Sequence, residues 1–79
     1  MTITLPTVQD VKTFVQAASK VSSDIDIVSG RYKIDGKSIM GMFSLDLSKP
    51  LAVEIVEKEP GDKKKFIDML SLVGIPVKE

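Results

Sequence analysis

Ser38 carries the sharpest chemical reading in this chain. It follows the turn Asp35-Gly36 and opens an uncharged run, Ser38 to Leu45, that holds Met40, Met42 and Phe43. A serine in front of an apolar run reads as a helix start, because its oxygen can accept an N–H left open in the first turn. Ile39, Met40 and Phe43 follow at i, i+1 and i+4. They either enter the core or form an adaptable surface for another protein, and the expected split leaves Ile39 or Met40 exposed.

Other reactive groups are sparse. Thr7 and Asp10 form a T-x-x-D pattern, which reads as a plain helix start. Asp24 and Asp26 share a strand face with Glu54 as a potential neighbour, yet no third ligand type or pocket is in view, so neither metal binding nor acid–base catalysis is expected there. Lys63-Lys64-Lys65 reads as a solvated face. The most informative count is zero histidines, which removes the commonest general base, the commonest metal ligand and any phosphohistidine. Zero cysteines removes thiol nucleophiles, thiolate metal sites and disulfides. No enzyme activity, cofactor or metal is expected.

The elements that must position these residues follow from the pattern of the chain. Thr2 to Leu5 alternates as a short strand ended by Pro6. Val8, Val11, Val15 and Ala18, with Phe14 beside them, put an apolar stripe on a helix from about Val8 to Lys20, leaving Lys12, Gln16 and Lys20 in solvent. Asp24 to Val28 and Arg31 to Asp35 alternate on either side of Ser29-Gly30. With those two as the loop, Val28 faces Arg31, Ile27 faces Tyr32 and Ile25 faces Ile34, so Ile25, Ile27, Tyr32 and Ile34 all point one way. Leu51 to Glu57 reads as a strand with Leu51, Val53 and Ile55 inward. Asp62 reads as the cap of a helix with Phe66, Ile67, Leu70 and Val73 on one side, stopped by Gly74 and Pro76. Ile75 to Glu79 reads as a short tail.

The 79 residues are enough for one small core, and the predicted organisation is a single domain over residues 1–79. The order β-α-β-β-α-β-α implies an α+β fold, a mostly antiparallel sheet with helices on one face. Eleven basic and eleven acidic residues cancel, so neither nucleic acid nor an anionic membrane is an expected partner. No apolar run approaches the ~20 residues of a membrane span, and the N-terminus lacks the layout of a signal peptide. A cytoplasmic location and a monomer are expected.

Ala18-Ser19-Lys20 before the hairpin, then Lys37-Ser38-Ile39-Met40-Gly41 with Ser44-Leu45 close behind, resembles HPr, the phosphocarrier of the bacterial sugar phosphotransferase system. The resemblance spans nearly the whole chain and is strongest from Val15 to Leu45. It implies an HPr-like open-faced β-sandwich, a four-stranded sheet covered on one face by three helices. It also implies that Ser38 is a target of the HPr serine kinase, after which the protein binds a transcriptional regulator. Lys37, Ile39, Met40 and Phe43 would then belong to a docking surface. The family's G-x-H-A-R-P motif is absent: Thr7 stands at the place of the histidine, Gln9 at the arginine and Asp10 at the proline. A threonine ester is too stable to hand its phosphoryl group onward. The expected protein is therefore an HPr-like relative without phosphocarrier activity, working by protein binding. The alternative is a degenerate HPr domain serving as a small interaction module unrelated to sugar transport.

Overall fold

The computed structural model describes residues 1–78. In chain order the elements are β1 (Thr2–Ile3), α1 (Val8–Ala18), β2 (Asp24–Ser29), β3 (Tyr32–Asp35), α2 (Ile39–Phe43), β4 (Leu51–Val56), α3 (Asp62–Leu72) and β5 (Val77–Lys78). Among the described residues the strands form one five-stranded sheet in the order β3-β2-β4-β1-β5, with every neighbouring pair antiparallel. The expected four-strand sheet gains β5, and the three helices supply the buried side chains that cover it.

α1 starts as its sequence predicts. The Thr7 hydroxyl accepts the Asp10 N–H at 3.1 Å, while Asp10 Oδ2 accepts the Thr7 N–H at 3.3 Å, a complete capping box. Its buried face, however, is Val11, Phe14, Ala17 and Ala18; Val8 is 58% exposed and Val15 only partly covered. The expected valine stripe is rotated because Phe14 carries the largest apolar surface on the helix. Its ring meets Phe66 of α3 edge-on, 5.5 Å between centroids, an arrangement that suits the aromatic quadrupoles.

The β2–β3 hairpin forms in a register two residues away from the expected one. Ile27 pairs with Ile34 and Ser29 with Tyr32, so the loop is Gly30-Arg31 rather than Ser29-Gly30. Gly30 has φ +59°, and among the described residues no non-glycine has positive φ. A two-residue hairpin with glycine at its first central position is the arrangement that accommodates this at no steric cost. A slip of two preserves every side-chain face. Ile25 and Ile27 are buried and Ile34 is half-buried as expected, but Tyr32, at the hairpin tip, is 72% exposed.

α3 is capped differently from the prediction. Gly61 is the N-cap, with φ 93° and no side chain to offer, and Asp62 is the first helical residue. The carboxylate that serves the helix start comes from upstream, Glu57 Oε2 accepting the Lys63 N–H at 2.8 Å. Asp62 instead turns inward. Its Oδ2 accepts the Ser23 hydroxyl at 2.6 Å, the Ser23 N–H at 3.1 Å and the Ser22 hydroxyl at 3.2 Å, and Ser23 Oγ in turn accepts the Lys58 N–H at 2.8 Å. This satisfied polar cluster ties the α1–β2 connection to the start of α3. The Ser23 hydroxyl holds the Asp62 carboxyl below its ordinary pKa against the opposing effect of burial.

The expected tail is structural. Gly74 at φ 82° lets the chain reverse, and the Ile75 N–H donates to Leu70 O at 2.9 Å while the Gly74 N–H donates to Ser71 O at 3.2 Å. That is a Schellman ending, which brings the residue after the glycine back onto the helix. Ile75 is thereby buried in the core, and Val77 and Lys78 pair with Ile3 and Thr2. Glu79 lies outside the described residues. On the helix-covered side the core joins Ile3, Leu5, Ile25, Ile27, Leu51 and Val53 of the sheet layer to Val11, Phe14, Met42, Phe66 and Leu70 of the helices.

Candidate docking site on the second helix

The segment from Asp35 to Ser44 is held by a chain of local bonds. The Lys37 N–H donates to Asp35 Oδ1 at 2.9 Å and the Ser38 N–H to Asp35 O at 3.0 Å, which closes the turn. Ser38 then caps α2: its backbone is extended (φ −101°, ψ 110°) and its hydroxyl accepts the Gly41 N–H at 3.2 Å. Lys37 is half-buried, and its ammonium donates to Val21 O at 2.8 Å. That bond fastens the start of α2 to the segment just after α1.

α2 is too short to persist by propensity, so packing sets its orientation. Met42 is 0% exposed and anchors it in the core. Half a turn from it Met40 is 80% exposed; Phe43, the next residue along, is 40% exposed, and Ile39 is half-buried. The expected split therefore falls with Met40 outside. A flexible thioether and an aromatic edge, with no charge anywhere on the helix, make an apolar front whose rim is Lys37 and Ser38.

The start of α1 has a different character. The Thr7 hydroxyl donates to Asp10 Oδ2 at 2.9 Å while accepting the Asp10 N–H, so it is engaged both as donor and as acceptor. Gln9 donates to Thr13 Oγ1 at 3.4 Å along its own helix. Asp10 already places a carboxylate at the helix end where an incoming anion would sit. The chain's one arginine, Arg31, lies in the β2–β3 turn.

The model for the family described as the PTS HPr component phosphorylation site matches residues 9–73 of this chain. The chain belongs to the HPr family. Among solved structures, HPr-C-His from Thermoanaerobacter tengcongensis is 31% identical, with a TM-score of 0.63 over 90% of this chain and 89% of that one. An HPr dimer from the same organism is 29% identical, with a TM-score of 0.59 over 80% of this chain and 76% of that one. Crh, the Bacillus subtilis catabolite repression containing protein, reaches a TM-score of 0.64 over 90% of this chain and 82% of that one; at 22% identity that likeness shows the fold.

Elsewhere in this HPr-family chain the acidic residues are spread across the open face of the sheet. Lys58 Nζ lies 3.4 Å from Asp24, and Lys33 Nζ lies 3.0 Å from Glu54, an ion pair that raises the Lys33 pKa. Asp26 has Glu54 on one side and Asp35 on the other in the strand register. No group of three or more potential metal ligands occurs among the described residues. Lys64 and Lys65 are exposed on α3. No helix among the described residues is long and apolar enough to cross a membrane. Two positioning interactions escaped the sequence reading, the Lys37 bond to Val21 and the Asp62–Ser23 cluster. Both join residues far apart in the chain, and neither partner carries a local signature of the other.

Proposed function

We propose that this HPr-family protein works by docking through the front of α2, with Ser38 as its phosphorylation switch, and that it does not carry phosphoryl groups at the start of α1. The observation that carries this reading is the contrast between the two helix starts. At α2 an apolar side chain, Met40, stands 80% exposed beside a capping serine. At α1 the Thr7 hydroxyl and the Asp10 carboxylate satisfy each other, without a histidine or an arginine.

Phosphate on Ser38 suits this geometry. Its oxygens can keep the Gly41 N–H bond, and its charge of roughly −1.5 to −2 falls at the start of α2, so the fold is retained while the rim of the docking front becomes strongly anionic. A partner then reads two features together, the apolar Met40–Phe43 front and the new charge. The HPr serine kinase and a transcriptional regulator are the partner classes that fit.

The test is intact-mass analysis after incubation with an HPr serine kinase and ATP, using the Ser38→Ala chain as control. One added phosphate on the wild type and none on the variant is the expected result. An unmodified, folded wild-type protein would remove the switch, leaving Ser38 as a helix cap.

A further inference from the structure

Among the described residues β3 ends the sheet and is bonded to β2 alone. The Gly36 N–H donates to Ile25 O at 2.7 Å, which fixes the phase of the ladder. In an antiparallel pair alternate residues bond to the neighbour, so Ile34 and Tyr32 face β2 while Lys33 and Asp35 present their backbone groups to the open edge. Natural sheets blunt such edges with lysine, proline or a bulge. The one blunting charge at the middle of this edge is Lys33, and its ammonium is drawn back across β2 to Glu54 on β4, 3.0 Å away.

The segment Arg31-Tyr32-Lys33-Ile34-Asp35 is complementary to its own reverse. Laid antiparallel on a second copy with Lys33 opposite Lys33, it sets Arg31 against Asp35 and Tyr32 against Ile34, twice over. Neither charge has an ion-pair partner among the described residues: Arg31 makes none, and Asp35, whose Oδ1 accepts the Lys37 N–H at 2.9 Å, stands opposite another carboxylate, Asp26. Tyr32 is 72% exposed beside a shallow groove formed with Ile34 and Leu45. On the same sheet face, the second copy's tyrosine would lie along that groove.

From these observations we infer that two copies of this chain associate edge to edge through β3, antiparallel, about a two-fold axis at Lys33. The sheet then runs continuously through both copies. Asp35 O is already taken by the Ser38 N–H at 3.0 Å, so the new ladder consists of about four bonds: the reciprocal Lys33 pair and the Asp35 N–H to Arg31 carbonyl at each end. So short a contact belongs with small, reversible interfaces, and the chain is a monomer only when dilute.

Sedimentation velocity of the full chain from about 10 μM to about 1 mM tests this, since weak complexes populate in that range. The wild type is expected to shift towards dimer as concentration rises. Arg31→Asp and Asp35→Arg should each remain monomeric, because like charges then meet at both ends. An equimolar mixture of the two should associate again, since each contact then sets an acidic residue against a basic one. Lys33→Pro should also abolish association at no loss to the β2 ladder, because the Lys33 N–H faces outward. If circular dichroism shows that Asp35→Arg does not fold, Arg31→Asp and Lys33→Pro decide the matter. A wild type that stays monomeric throughout would overturn the inference. So would association that survives both Arg31→Asp and Lys33→Pro, which would place the contact on another surface.

Discussion

Met40 and Met42 lie two residues apart on α2, and alanine at each separates an anchor from a docking residue. Met42 is 0% exposed, and truncating a buried methionine costs about 2–5 kcal/mol through lost transfer energy and the cavity left behind. A five-residue helix flanked by loops can relax partly into that space, so about 3 kcal/mol is expected. At roughly 0.05–0.15 kcal/mol per residue, a chain of 79 residues holds about 4–12 kcal/mol in all. The loss is thus a quarter or more of the total, and the melting temperature should fall by about 12–24 °C. Met40 is 80% exposed, and Met40→Ala should change stability by less than about 0.5 kcal/mol. Urea titration of both variants gives the comparison directly, with the midpoint moving and the slope unchanged for Met42→Ala. Equal losses at the two positions, or a larger loss at Met40, would refute the orientation of α2 and with it the docking front.

Two other predictions follow from the packing and the polar cluster. A Cβ at Gly36 would lie 2.9 Å from the Ile25 carbonyl oxygen and 3.2 Å from Phe14 Cε1, so Gly36→Ala should cost about 1–3 kcal/mol by overpacking, read from the urea midpoint. Asp62 has a folded-state pKa below its ordinary value of 3.8, chiefly through the Ser23 hydroxyl. A depressed carboxyl contributes stability above the unfolded pKa and loses it as pH falls through the folded one. Asp62→Asn should therefore be less stable than the wild type at pH 7, and the gap should narrow below about pH 4; a gap that stays constant down to acid unfolding would show that the charge is not what matters.

The fold was legible wherever adjacent residues carried the whole signal. The T-x-x-D start of α1, the Ser38 cap and the alternation in β2 and β4 are local patterns, and each formed as expected. Where two distant parts of the chain had to agree, local pattern fell short. Asp62 has the chemistry of a helix cap, and only the approach of Ser22 and Ser23 turns its carboxylate inward. Ile75 to Lys78 is too short to read as a strand until β1 offers an edge to pair with. The hairpin register turned on whether glycine takes the first or the second central position of its loop, and both choices keep the same apolar face.

The candidate site divides in the same way. The sequence by itself determined that histidine and cysteine chemistry is absent, that Ser38 stands before an uncharged apolar run, and that the pattern around it is that of the HPr family. Those statements depend on residue types and short spacings, which do not change on folding. Only the tertiary structure decided which methionine faces solvent, that Lys37 is fastened to Val21, and that the edge of β3 lies open with its lysine drawn away. The physical reason is that α2 has too few residues to hold its own conformation. Its orientation is set by Met42 finding the core, and whatever Met42 buries on one side it exposes as Met40 and Phe43 on the other.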